Sequence, residues 1–113
     1  MKIASLLEGL VYDENKPSIS ILMETDAAKE IRITFKKGQL MKEHKTSCPI
    51  VVEIFKGRLD FGVLGTKQHL IAGQFIALEG GVPHDLTALE DSVVRLSLSK
   101  QDSVDRIKSI ETS

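Results

Sequence analysis

Ile50-Val-Val-Glu-Ile-Phe-Lys-Gly57-Arg-Leu-Asp-Phe-Gly-Val-Leu64 is the stretch whose reading decides the fold. Two runs rich in Val, Ile, Leu and Phe meet at a single glycine, and Gly65-Thr66 marks a further turn just beyond them. β-Branched and aromatic residues suit a half-buried pleated surface, and the glycine between the two runs stops the first strand before the second begins. Side chains alternate along a strand, so Ile50, Val52 and Ile54 share one face, and Val51 and Phe55 point the other way. Moving towards the N-terminus, Glu30–Lys36 alternates cleanly, with Ile31, Ile33 and Phe35 opposite Arg32 and Thr34. Lys37-Gly38 ends it, and Ser18–Thr25 alternates less regularly before it. Towards the C-terminus, Gln68–Ile71, Phe75–Leu78, Leu86–Leu89 and Val93–Leu98 follow, separated by segments rich in Gly, Pro and Asp. Short strands with turn signals at such intervals predict an all-β antiparallel sandwich or barrel. No interval has room for a crossover helix, which excludes a parallel sheet.

The chain has 113 residues, enough for one domain, 1–113, with core strands at about 18–98 and a tail at about 99–113. A short helix is expected at either terminus. Ser5-Leu-Leu-Glu8 has the form of a capping box, with an edge strand as the alternative there. Ser99-Lys-Gln-Asp102 is placed to cap a final turn carrying Val104, Ile107 and Ile110. Lys+Arg 15 against Asp+Glu 16 leaves a formal charge of −1, which argues against nucleic acid or an anionic membrane as a partner. No apolar run reaches the roughly 18 residues of a spanning helix, and the start lacks a signal-peptide pattern, so a cytoplasmic location is expected. The lone Cys48 excludes an internal disulfide.

Chemistry-bearing residues are few. His44 follows the Gly38 turn and His84 follows Gly80-Gly81-Val82-Pro83. In a barrel of short hairpins these positions can face one another at one mouth. Two imidazoles there are the beginning of a metal site, although a stable one needs a third or fourth ligand. The alternative is a pair of lumen histidines bonded to their neighbours. The glycine-rich turn is not a phosphate cradle, because a strand follows it rather than a helix.

From Gly38 to Ala88 the chain resembles the small single-domain cupins. Gly38, His44 and Gly57 match the glycine, histidine and closing glycine of that family's first motif, and Gly73, Gly81 and His84 match positions of its second. The resemblance implies a double-stranded β-helix, a jelly-roll-like antiparallel barrel. It also implies departures. Thr46 stands at the family's second histidine, Ile50 at its glutamate, Glu79 at the second motif's proline and Ala88 at its terminal asparagine. The stretch from Glu43 to Phe55 is similar to a subgroup of small bacterial cupins lacking the full ligand set. Only His44 and His84 remain as metal ligands, so the expected cofactor is at most a weakly bound divalent ion (Zn, Ni, Fe or Mn).

Substitute ligands are scarce. Glu53 lies on the face opposite Ile50, Cys48 sits in the loop after His44, and His69 falls outside both motifs and reads as a surface residue. Asp85 and Glu43 adjoin the two histidines in sequence and so face the other way. The expected lumen is apolar, built from Ile33, Phe35, Ile50, Val52, Ile54, Phe75 or Ile76, and Leu86. His44, Thr46, Ile50, Val52 and His84 form the expected ligand pocket. Outward Val51 and Phe55 call for a second layer, from the chain's own termini or from a partner subunit, and a homodimer is expected. The first functional reading is a non-enzymatic protein that binds or senses a small molecule. The alternative is a metal-dependent dioxygenase or isomerase using His44 and His84, and a third reading is a filled barrel whose outer surface meets a partner.

Overall fold

The computed structural model describes residues 1–100, and its described elements are all strands. They are β1 (Ser18–Glu24), β2 (Ala28–Phe35), β3 (Leu40–His44), β4 (Ile50–Lys56), β5 (Arg58–Val63), β6 (Thr66–Ile71), β7 (Phe75–Leu78), β8 (His84–Ala88) and β9 (Ser92–Ser99). Five of them form a sheet in the order β1-β2-β9-β4-β7, and four form a second in the order β3-β8-β5-β6. Every pairing is antiparallel. Sequential hairpins account for β1–β2 and β5–β6. The other pairings bring together strands distant in sequence, as in a double-stranded β-helix.

The alternation of β4 positions the core. Ile50, Val52 and Ile54 are buried, while Val51 and Phe55 are exposed. Across the ladder Ile50 lies between Leu78 and Leu98, and Val52 between Ile76 and Leu96. The facing sheet contributes Leu59 and Phe61 from β5 and Leu86 and Ala88 from β8. Phe35, Ile54, Leu59 and Phe61 have no exposed area, and each contributes about 2 kcal/mol through burial. Ile76 rather than Phe75 packs against this core, and Phe75 is 70% exposed. Gly57 joins β4 to β5 at φ 92°, a left-handed conformation, and a Cβ there would lie 2.2 Å from Ser92 Oγ. Only glycine fits that corner, where the chain passes from pairing with β9 in one sheet to pairing with β8 in the other, without the reversal a hairpin would make.

Two expectations at the chain's beginning are corrected. Residues 5–9 form a turn instead of a helix or an edge strand. The amides of Leu7 and Glu8 both donate to Ser5 Oγ at 3.1 Å, so the cap exists, but Gly9 at φ 64° ends the turn at once. The following carbonyls are engaged elsewhere. Arg32, on the outer face of β2, donates to the carbonyls of Glu8 (2.6 Å), Gly9 (3.0 Å) and Leu6 (3.4 Å). Thr34 Oγ1 donates to Val11 O and Gln39 Nε2 to Asp13 O. Lys36 adds an ion pair to Glu14. Residues 5–14 are thereby strapped across β2, and Arg32 and Thr34 are buried beneath them. This strap is a second layer supplied by the N-terminus, but it covers β2 and not the Val51 and Phe55 positions over which one was expected. It stops short of β4 and β7, where Val51, Phe55 and Phe75 stay exposed. The helix expected at 99–113 lies outside the described residues from 101 onward, and β9 runs to Ser99. No helix among the described residues is long and apolar enough to cross a membrane.

Candidate functional site

The strand that carries His44 was not anticipated, and its irregularity is what makes the site. β3 pairs with β8 as Leu40↔Thr87 and Met41↔Leu86, but then as His44↔His84. One extra residue in the Lys42–Glu43 stretch is a β-bulge, a device that re-aims side chains. In an unbroken ladder Glu43 would oppose His84. The bulge puts His44 there instead, in line with the inward-facing Met41 and Leu86.

The two imidazoles meet edge to face, with ring centroids 4.4 Å apart. Behind His84 lies Phe61, stacked at 5.4 Å with the rings 6° from parallel. His84 is buried and His44 is exposed, so the pair runs from the core to the surface. Each ring is pinned by the main-chain carbonyl two residues before it. His44 Nδ1 lies 2.8 Å from Lys42 O and His84 Nδ1 lies 2.9 Å from Val82 O. A carbonyl only accepts, so both Nδ1 atoms carry the proton, and a neutral ring then presents an Nε2 lone pair. Among the described residues neither Nε2 has a hydrogen-bond partner.

The loops around the histidines are tied to each other. Gly81 N donates to Thr46 O at 2.7 Å, and a Cβ on Gly80 would lie 2.3 Å from Ser47 O. The Gly80-Gly81 turn thus lies directly on the 46–48 loop and delivers His84, as its sequence implied. Thr46 spends its hydroxyl on Cys48 O at 2.8 Å. Ile50 and Val52 face the interior as expected, but they pack within the apolar core. Cys48 is buried beside Ser47, whose Oγ is 3.8 Å from its Sγ. Glu53 points outward to Arg95 at 3.7 Å, beside the shorter Arg95–Glu30 pair at 3.0 Å. His69 is on the exposed outer face of β6, with Nδ1 3.1 Å from Asp60 Oδ1, a cross-strand contact that sequence spacing did not reveal.

The four-ligand metal set of the cupin resemblance does not fit these residues. Ile50 has no donor atom, the Thr46 hydroxyl is engaged, and no cluster of three or more His, Cys, Asp or Glu side chains is present among the described residues. Two imidazoles are the whole donor set.

A cleft of about 380 Å³ opens at the same end of the sandwich, lined by Glu43, Gly62–Lys67 and Pro83–Asp85. Two more lie on the outer face of the five-stranded sheet. One, of about 470 Å³, sits between the strap at Ala4–Leu7 and Leu22, Met23, Phe55 and Arg95. The other, of about 310 Å³, is lined by Val51, Glu53, Phe75, Arg95 and Ser97. Electrostatics at the far end of β1 are simple. The Lys100 ammonium, 2.9 Å from Glu24, holds that carboxyl below its ordinary value of 4.5 by hydrogen bond and charge.

This arrangement of two sheets is the cupin double-stranded β-helix, and solved structures share it. An RmlC-like cupin protein from Desulfovibrio desulfuricans superposes with a TM-score of 0.81 at 22% identity, covering 88% of this chain and 96% of that one. A conserved protein with a double-stranded β-helix domain from Klebsiella pneumoniae gives 0.78 at 19% identity, over 89% and 92% of the two chains. A conserved protein of unknown function from Streptococcus pyogenes gives 0.75 at 21% identity, over 88% and 87%. Likeness at these identities establishes the fold. No protein-family model matches the sequence, and no curated protein is significantly similar to it.

Proposed function

We propose that this cupin-fold protein is a non-catalytic binder or sensor of a small molecule, with His44 and His84 as its recognition groups. One observation carries the reading. Both imidazoles are fixed through Nδ1 to main-chain carbonyls two residues back, and both leave Nε2 without a protein partner. A buried polar ring normally has its hydrogen-bonding capacity satisfied. His84 is 3% exposed, and since no buried side-chain nitrogen or oxygen among the described residues lacks a partner, its open Nε2 keeps contact with the mouth rather than being sealed in the core. Concave sites with a few convergent polar groups are the usual form of small-molecule sites, and a cleft that His84 touches opens beside the pair, although His44 does not line it.

The metal-dependent enzyme reading gains the pinned rings, because metal-bound histidines hold their second nitrogen in the same way. It loses the third and fourth ligands. The deciding experiment uses untagged protein, with metal content and melting temperature measured with and without Mn, Fe, Ni and Zn. We expect substoichiometric metal and a small or absent thermal shift, because only tight binding to the native state raises apparent stability strongly. Near-stoichiometric metal, lost in both His44→Ala and His84→Ala, overturns the binder reading. A homodimer belongs to the proposal, supported by the exposed Val51, Phe55 and Phe75 on one sheet face. Analytical ultracentrifugation showing a monomer at every concentration overturns that part.

A further inference from the structure

The outer face of the five-stranded sheet has two levels. β9 is its middle strand, with β2 and β1 on one side and β4 and β7 on the other. The strap of residues 5–14 rises over β2, while β4 and β7 are bare among the described residues. Both levels carry exposed apolar side chains, Ile3, Leu7 and Val11 on the N-terminal segment and Val51, Phe55 and Phe75 on the bare half. A two-fold axis laid along β9, in the plane of this face, exchanges the two halves and sets the raised half of one copy over the bare half of another. Such a rotation keeps position along the strands, so the cross-strand rows fix which residues meet. One row runs Arg32, Arg95, Glu53 and Phe75. Arg32 holds the strap at Leu6, Glu8 and Gly9, which carries Leu7 to the partner's Phe75. The next row, Thr34 and Val93 with Lys56, carries Val11 to the partner's Phe55. In the opposite direction the row Glu30, Ser97 and Val51 lies beside Glu24, whose carbonyl accepts from Lys2, and Ile3 falls on the partner's Val51.

We propose that two copies form a two-fold dimer in which the N-terminal strap of each packs on the bare β4–β7 half of the other's five-stranded sheet. The proposal rests on the homodimer named above and adds the element that covers the face. An isologous contact requires a surface that fits itself, and a step with one raised and one low apolar half does so. The six side chains expose roughly 600 Å² per copy, taking about 180 Å² for a whole large apolar side chain. With the polar surface between them this approaches the roughly 800 Å² that each partner buries in a stable interface. Arg95 lies on the axis, and Glu30 and Glu53 of its own copy pair with it, so no unpaired cation is buried there.

Sedimentation of the full chain reads the dimer, and a mixed cross-link reads its geometry. Leu7→Asp and Phe75→Asp should each weaken the dimer about tenfold to a hundredfold, the scale of one large apolar side chain returned to water. The melting temperature of the dilute monomer should stay unchanged in both. In a Cys48→Ser background, Leu7→Cys mixed with Phe75→Cys should form a disulfide between copies, and neither should do so alone. A dimer that either Asp variant spares, a Phe75→Cys protein that links to itself, or a mixed pair that stays unlinked while dimeric overturns the strap arrangement and leaves the homodimer standing. A monomer at every concentration overturns both and leaves the face to residues 101–113 of the same chain.

Discussion

At two places in this molecule basic side chains meet main-chain carbonyls, with opposite outcomes. On the outer face of β2, Arg32 is buried beneath the N-terminal strap and divides its donors among three carbonyls. At the β3–β8 end, His44 and His84 each give one donor to one carbonyl and keep the second nitrogen open. Both places are polar, and His84 is as well buried as Arg32. The difference lies in how much hydrogen-bonding capacity the chain itself consumes. Where it engages both terminal nitrogens of Arg32, the residue holds the fold together. Where a remainder is left beside a cleft, the residue can recognise something else. Burial does not separate the two cases, and a count of open donors and acceptors does.

The most damaging way to probe this contrast is at the floor of the open region. Phe61 is fully buried and stacks on His84. Phe61→Ala should cost about 4 kcal/mol in urea unfolding, through lost transfer energy and the cavity left behind. It should also release the His84 ring, seen as averaging of its NMR signals. If the ring stays fixed, Nδ1 alone holds it and the aromatic floor is dispensable. Next in size is Arg32→Ala, expected to cost about 2–3 kcal/mol because strap carbonyls are left without partners. Amide exchange should then accelerate across residues 5–14 and stay slow in β4 and β9. Uniform acceleration would mean that the strap is no separate layer. His84→Phe sharpens the comparison, since it keeps the ring against Phe61 and removes both nitrogens. It should change stability by less than about 1.5 kcal/mol, as shape-conserving replacements do, while abolishing any ligand-induced shift at His44. A large loss of stability would place His84 in the same category as Arg32.

The smallest expected effect lies at the end of β1. Glu24 is held below its ordinary carboxyl value by Lys100, so its folded pKa is lower than its unfolded one. Its contribution to stability is therefore present above the unfolded value and lost as pH falls through the folded one. Lys100→Met should remove that acid-side dependence and leave stability near pH 7 almost unchanged, because exposed ion pairs contribute little. A pH scan of melting temperature between about 3 and 7 reads it.

Much of the barrel was legible in the sequence, for a reason visible in β4. Ile50, Val52 and Ile54 must be apolar because they meet the other sheet, and period-2 patterning records that constraint directly. The glycine-rich turn before His84 was legible for a similar reason, because close approach to the 46–48 loop excludes a side chain at Gly80. That Ile50 offers no metal ligand was legible directly, since its side chain has no donor atom, whereas the engagement of the Thr46 hydroxyl by Cys48 O was not. β3 was not legible. Leu-Met-Lys-Glu-His does not alternate over its whole length, because its extra residue interrupts the period that marks a strand. The strap escaped detection on different grounds. Residues 5–14 have no periodicity of their own, and the groups that hold them, Arg32 and Thr34, look like ordinary outward polar positions until the backbone above them is seen. The half-buried Asp85 depends on Gly62, twenty-three positions earlier in the chain and opposite it in the sheet, where a Cβ would lie 2.5 Å from its Oδ1. That is a constraint between strands, and a linear pattern does not carry it.

The bulge in β3 makes strand length a chemical variable. Lys42, Glu43 and His44 offer an ammonium, a carboxylate and an imidazole in succession, and the local count of residues selects which of them stands against His84. A flat ladder at constant sequence would display Glu43, turning a pair of imidazoles into a carboxylate beside an imidazole. Deleting Lys42 would absorb the extra residue and return His44 to its place. The residue count between Met41 and His44, with no substitution at either histidine, therefore decides which group this mouth sets against His84.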